Sequence, residues 1–247
     1  MRRFGLIGFP LTHSFSRKYF TEKFIAADIH DCVYENFPLL DIGELPELLD
    51  ELPELVGLNV TIPYKEKVLP FLHVVDDIVR DTGACNCIRI HNSNLVGFNT
   101  DVTGFRISLE GRLKKTHDRA LILGKGGAAK AVAYALTTMN IPYKFVVRKS
   151  HNDPDTIRYE ELTVEDVAEH PLIINTTPAG MYPEVLSFPE IPYEGIGFGH
   201  YLFDLVYNPI KTVFLKKGEG KGAIIQNGGE MLSIQAEESW KIWNQSD

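Results

Sequence analysis

Apolar and polar positions along this chain repeat with two periods, one of strands and one of helices, and their succession predicts its elements. Phe4 to Gly8 is a short apolar run closed by Phe9 and Pro10, which reads as a buried strand. From Ser14 to Asp28, Phe15, Tyr19, Phe20 and Phe24 recur on one helical face, with Ser14 as a natural N-cap. A second strand is expected over Cys32 to Phe37, then a helix through Leu45, Leu48, Leu49 and Leu52. Val56, Leu58, Val60 and Ile62 alternate with Gly57, Asn59 and Thr61, a strand signature that Pro63 stops. Ile88 and Ile90 face Leu95, Val96 and Phe98 across Asn92, Ser93 and Asn94, which predicts a hairpin. This half of the chain is an α/β layer.

Around Val102 the pattern becomes more regular. A connecting helix from Val102 to Leu113 leads into strands at Ala120 to Leu123, Tyr143 to Val147, Leu172 to Asn175, Leu202 to Val206 and Ala223 to Gln226. Helical stretches fall between several of them, the clearest from Ala128 to Met139. Such alternation predicts a parallel, doubly wound sheet. The tail from Asn227 to Trp243 carries Met231, Leu232, Ile234, Gln235, Trp240 and Trp243 and reads as an amphipathic helix that packs back on the first domain. The fold class expected is therefore α/β, with an N-terminal α/β domain (1–101, joined by 227–247) and a C-terminal Rossmann-type domain (102–226).

Composition narrows the chemistry. With 33 acidic against 25 basic side chains among 247 residues, the net charge of -8 speaks against nucleic acid or an anionic membrane as partner and for a small-molecule substrate. Met1, Arg2 and Arg3 carry the charge of a signal peptide, but the apolar run after them is too short and too broken. No stretch approaches the ~20 apolar residues of a membrane helix. Three cysteines without a Cys-x-x-Cys pair and scattered histidines indicate neither a disulfide framework nor a metal site, so a cytoplasmic setting is expected. Oligomeric state is left open between monomer and homodimer.

Leu121, Ile122 and Leu123 run into Gly124, Lys125, Gly126, Gly127, Ala128 and Ala129, a Gly-x-Gly-x-x-Ala turn from strand to helix. Glycines there permit a tight turn and close backbone approach, so that a pyrophosphate sits on the helix N-terminus. The alternative is a tight turn that binds nothing. The next strand ends at Val147, Arg148 and Lys149, where an NAD-binding protein would carry an acid for the ribose 2′-hydroxyl. Two cations favour the 2′-phosphate of NADP instead, unless they form a solvated basic turn.

Several polar residues have no evident structural reason. Asn59 and Thr61 alternate with buried residues of a strand that leads to Lys65, and Asp101 stands at the junction of the two halves. An amine and a carboxylate facing one another across a cleft between domains could hand a proton to a developing alkoxide while hydride arrives from a cofactor. The plainer reading of each is a surface charge.

The run from Gly57 through Asn59, Thr61 and Pro63 to Lys65 resembles the signature of the shikimate dehydrogenase family, and Asn99, Thr100, Asp101 and Gly104 resemble a second motif of it. Further similar blocks are Gly5 to Pro10, His13 to Ser16, Gly83 to Asn86, Gly124 to Ala129, Asn175 to Thr177 with Gly180 and Met181, Asp204 to Tyr207 with Pro209, and Met231, Leu232 and Gln235. They cover nearly the whole chain in order. The resemblance implies reversible reduction of 3-dehydroshikimate to shikimate with NADPH.

It implies that Ser14, Ser16 and Thr100 bind the substrate carboxylate, that Asn59, Asn86, Asp101 and Gln235 hold ring hydroxyls, that Thr61 is among the substrate-binding residues, and that Tyr207 reaches the substrate from the second domain. Lys65 and Asp101 become the catalytic pair. Gly124, Gly126, Gly127, Ala128, Ala129, Arg148, Lys149, Asn175, Thr176, Thr177, Met181 and Gly228 are implied along the cofactor. The chain departs from the family pattern at Arg17, Tyr19 and Phe20, at Lys125 and Lys130 near the pyrophosphate, and at Val147, where a polar residue is common; the stretch 149–170 is compact. A dual quinate/shikimate dehydrogenase and a non-catalytic metabolite sensor are the rival readings; the presence of both Lys65 and Asp101 speaks against the sensor.

Overall fold

The computed structural model describes residues 1–11, 15–149 and 153–245. Two units divide the chain: Met1–Thr103 with Ser233–Asp247, and Gly104–Leu232. The first unit's elements are β1 (Arg2–Gly8), α1 (Phe15–Ala26), β2 (Cys32–Pro38), α2 (Leu45–Glu51), β3 (Leu55–Val60), β4 (Val74–Val75), α3 (Asp77–Thr82), β5 (Cys87–His91) and β6 (Asn94–Phe98). Helix α4 (Thr100–Glu110) leads into β7 (Ala120–Leu123), α5 (Gly127–Thr138), β8 (Tyr143–Val147), β9 (Thr156–Arg158), α6 (Val164–Glu169), β10 (Leu172–Asn175), β11 (Tyr201–Asp204), α7 (Val213–Glu219) and β12 (Ile224–Asn227), and α8 (Gly229–Trp243) returns the chain to the first unit.

In the first unit the strand order is β2-β1-β3-β5-β6-β4. β1 pairs in parallel with β2 and β3, so it is central, and the continuous burial of Phe4–Gly8 suits a strand covered on both faces. Ile7, Leu58, Val60 and Ile88 pack on one side with Leu45, Tyr64 and Val79. Phe4, Leu6 and Cys87 pack on the other with Phe20, Phe24, Tyr34 and, from α8, Ala236 and Trp243. The indole of Trp243 donates to the Ile88 carbonyl at 3.0 Å and stacks on Phe4 with centroids 5.0 Å apart. Gly57 makes room for it, because a Cβ there would run into the indole ring.

The second unit's sheet runs β12-β11-β10-β7-β8-β9 with every pairing parallel, the doubly wound order expected from the sequence. Chain order reverses between β7 and β10, and in open α/β sheets such a switch point opens a crevice at the C-terminal strand ends. Leu121, Leu123, Ile173, Leu202 and Phe214 form its core. Among the described residues no helix is long and apolar enough to cross a membrane.

Some boundaries differ from expectation for identifiable reasons. β11 ends at Asp204 rather than at Val206, because the Asp204 carboxylate accepts the Val206 N–H at 3.0 Å and turns the chain. The hairpin turn is two residues long: Asn92 and Ser93 both have positive φ, and His91 pairs with Asn94. β9 had no sequence signal, since its three residues are all half-buried.

Gly57→Ala should destabilise the protein by about 1–3 kcal/mol through overpacking against Trp243, read as a lowered urea midpoint; an unchanged midpoint would mean that the indole moves freely aside.

Candidate active site

Lys65 follows β3 on a turn in which the Tyr64 N–H donates to the Thr61 carbonyl at 2.9 Å. Tyr64 is buried and its hydroxyl donates to the Leu39 carbonyl, while the Lys65 carbonyl accepts the Cys85 N–H at 2.7 Å. With its backbone fixed on both sides, Lys65 places its Nζ 2.5 Å from Asp101 Oδ2. Both side chains are largely buried, with 18% and 8% of their surface exposed. Both belong to the first unit, so the pair forms within that unit and not across a division between domains.

Asp101 sits in the first turn of α4, where an acid is favoured by the helix dipole. That turn begins two residues earlier than the apolar pattern predicts because side-chain amides satisfy its backbone donors. Asn99 accepts the Asp101 N–H at 3.2 Å and donates to the Ala84 carbonyl at 2.9 Å. From the start of β5, Asn86 accepts the Thr100 N–H at 2.7 Å and donates to the Thr100 hydroxyl at 3.0 Å. The Thr100 hydroxyl also lies 3.4 Å from Gln235 Oε1 and 3.3 Å from Ser239 Oγ, both on α8.

Asn59 continues this buried network. Its Oδ1 accepts the Tyr34 hydroxyl at 2.8 Å, and its Nδ2 donates to Ser239 Oγ at 2.9 Å and to the Asn86 carbonyl at 3.3 Å. Both amide hydrogens are therefore engaged inside the protein, and Asn59 braces Asn86 instead of offering a free donor to a ligand. Ser16 hydrogen-bonds the Tyr34 phenol, whose pKa burial raises. Thr61 is half-buried beyond the end of β3. Ser14 lies outside the described residues.

In the second unit, Gly124 takes φ +101°, a backbone conformation that glycine accepts without strain, and a Cβ there would lie 3.0 Å from Thr176 Oγ1 and Thr177 Cγ2. The loops after β7 and β10 thus meet at the switch point. A Cβ on Gly126 would meet nothing within 4 Å. Gly126 is the N-cap of α5, and no side chain caps that helix, which leaves the N–H groups of its first turn, on Gly127, Ala128 and Ala129, able to receive an anion. Arg148 and Lys149 are exposed at the end of β8. Lys125, within the glycine turn, pairs with Asp153 and lowers its pKa.

The loop after β10 is tightly tied. The Thr176 hydroxyl donates to the Leu123 carbonyl at 2.6 Å, and Asn175 Oδ1 accepts both the N–H (3.0 Å) and the hydroxyl (2.6 Å) of Thr177. Asn175 Nδ2 donates to Asp204 Oδ1 at 2.9 Å. Asp204 is fully buried, and burial pushes its carboxyl up to about 6 against the lowering effect of its hydrogen bonds from Thr212, Val206 and Asn175. Met181 is 43% exposed. Tyr207 is half-buried in this unit, which raises its pKa. Gly228 lets the chain pass Leu205, whose carbonyl would clash with a Cβ.

Ser239 and Tyr34 escaped the sequence reading, although Ser239 follows Gln235 at helical spacing and so shares its face of α8.

A Rossmann-type nucleotide-binding unit paired with an α/β unit that holds a largely buried amine and carboxylate defines the class of two-domain, nucleotide-binding α/β proteins. The family model described as the shikimate dehydrogenase substrate binding domain matches residues 6–88. The chain is 37% identical over 258 residues to the shikimate dehydrogenase (NADP(+)) of Caldicellulosiruptor bescii, covering 98% of this chain and 89% of that one. A chorismate mutase/shikimate 5-dehydrogenase fusion protein from Clostridium acetobutylicum superposes with a TM-score of 0.88 at 34% identity, covering 100% of this chain and 92% of that one. The shikimate 5-dehydrogenase of Thermus thermophilus, in complex with NADP(H) and shikimate, gives 0.85 at 28% identity, covering 99% and 94%. This chain belongs to the shikimate dehydrogenase family.

Ser239→Ala should cost about 1–3 kcal/mol by leaving the buried Asn59 amide one acceptor short, read as a lower thermal or urea midpoint; unchanged stability would show that the amide finds another partner.

Proposed function

We propose that the protein catalyses the reversible NADPH-dependent reduction of 3-dehydroshikimate to shikimate on the route to chorismate and the aromatic amino acids. The observation that carries this reading is the Lys65–Asp101 pair, 2.5 Å apart beside the buried amides and hydroxyls of Asn86, Thr100 and Gln235. The relatives' names and the bound molecules of the Thermus thermophilus protein support the substrate and the cofactor.

Reduction of a ketone adds hydride to carbon and leaves negative charge on oxygen. NADPH supplies the hydride when bound. The Lys65 ammonium is the proton donor to the forming alkoxide, and Asp101 holds that ammonium in one orientation while accepting from the neighbouring substrate hydroxyl. The proton on Lys65 is restored from water, to which its side chain stays partly open. Ser16, Thr61, Asn86, Thr100 and Gln235 are assigned to the substrate's carboxylate and hydroxyls, since neutral polar groups orient a polyol without further buried charge. The residues present fit the cofactor: an uncapped α5 N-terminus and the open space beside Gly126 suit the pyrophosphate, and the Arg148 guanidinium suits the 2′-phosphate.

Purified protein should reduce 3-dehydroshikimate with NADPH, and Lys65→Ala should lower turnover by roughly 10²–10⁴-fold while shikimate still binds. Unchanged turnover would remove Lys65 from the mechanism. Arg148→Ala should raise KM for NADP much more than for NAD; equal increases would place the 2′-phosphate elsewhere.

A further inference from the structure

Asp204 takes no part in the proton transfer described above, yet it is a fully buried carboxylate in the second unit. Burying a charge is costly unless hydrogen bonds compensate it. Three donors converge on this one: Asn175 Nδ2 (2.9 Å) and the Val206 N–H (3.0 Å) on Oδ1, and the Thr212 hydroxyl (2.5 Å) on Oδ2. Among the described residues no basic side chain forms an ion pair with it. The carboxylate is thus a hub of neutral hydrogen bonds joining the ends of β10 and β11 to the start of α7, where Thr212 also caps Leu215.

Its chemical effect falls on Asn175. An asparagine amide has an oxygen side and a nitrogen side of almost the same shape, so nothing steric fixes its orientation. Hydrogen bonds fix it instead: the Asp204 carboxylate, which only accepts, takes the Nδ2 side at 2.9 Å, and the Ala179 carbonyl accepts from the same nitrogen at 3.3 Å, so that the charge-assisted bond to Asp204 is the stronger of the two. Asn175 Oδ1 must then face Thr177, where it receives both the N–H and the hydroxyl. With its hydrogen so engaged, the Thr177 hydroxyl accepts from the Ala179 N–H at 3.3 Å. The turn thus ordered abuts Gly124 at the switch point.

We propose that Asp204 is the positioning residue of the nucleotide crevice, acting through the Asn175 amide to hold the Thr176–Thr177 turn in the shape that receives NADP(H). This rests on the reading above that the crevice takes that cofactor. A neutral isostere at position 204 keeps its oxygen towards Val206 and Asn175 but loses the charge that strengthens both bonds, and it turns its NH₂ towards a Thr212 hydroxyl that already accepts from Leu215, although it fills the same space. Because burial raises the Asp204 pKa, replacing the carboxyl by an amide also relieves a buried charge and need not lower stability. A merely structural role predicts the opposite pattern, loss of stability with no selective loss of cofactor binding.

The test measures NADPH affinity by fluorescence titration, shikimate affinity by calorimetry without cofactor, and the thermal midpoint, for wild type and Asp204→Asn. The expected result is NADPH binding weakened roughly 10-fold, the effect of losing about one charge-assisted hydrogen bond, with shikimate affinity and midpoint little changed. Thr212→Val and Thr212→Ser form a second pair should Asp204→Asn fail to fold: the valine variant should weaken NADPH and the serine variant restore it. A folded Asp204→Asn, or in its absence a folded Thr212→Val, that binds NADPH like wild type overturns the role of Asp204 and leaves the proposed function standing. A wild-type protein that does not bind NADPH overturns both.

Discussion

A buried helix start must find acceptors for its N–H groups, and how this chain satisfies that requirement at α4 decides where Asp101 and its partner Lys65 stand. Asn99 and Asn86 accept the N–H groups of Asp101 and Thr100. Asn86 is itself braced by Asn59, and Asn59 is held by Tyr34 and Ser239. Removing any one leaves a buried donor or acceptor unsatisfied, which costs more than a hydrogen bond contributes. Asp101 is in this way pinned by β5, β6 and α8 before any ligand arrives, and Lys65, fixed by Cys85 and Tyr64, comes to it. Preorganisation of this kind spares a site the reorganisation that would otherwise add to the barrier.

The second unit applies the same principle with a charge. Parallel strands end at a switch point, where a glycine turn and a threonine turn touch. Hydrogen bonds fix the threonine turn, running from the Thr176 hydroxyl to the Leu123 carbonyl and from Thr177 through Asn175 to Asp204. In both units an asparagine amide with both ends engaged transmits order from a packed strand to a neighbouring segment, the start of α4 in the first and the threonine turn in the second.

Periodicity made the fold class legible, because central strands covered on both faces give continuous apolar runs and the helices between them keep a helical stripe. Lys65, Asp101 and the glycine turn stood out as candidates for chemistry because their residue types are out of place in a core. Asn59 shows the limit: alternation puts it on one face of β3, but whether that face looks at a ligand or at Ser239 depends on α8, some 180 positions along the chain. Ser239 was invisible for the converse reason, a small polar residue on an amphipathic helix whose partner is distant in sequence. Asp204 lay in a recognised motif, yet its burial and its bond to Val206, which ends β11, follow from the sheet and not from the motif.

Whether the protein is a reductase specific for shikimate and NADP is decided by steady-state kinetics of alcohol oxidation with shikimate and quinate, each with NADP and NAD. The highest kcat/KM is expected for shikimate with NADP. A higher value for quinate with NAD, or no oxidation of either alcohol, would overturn that assignment.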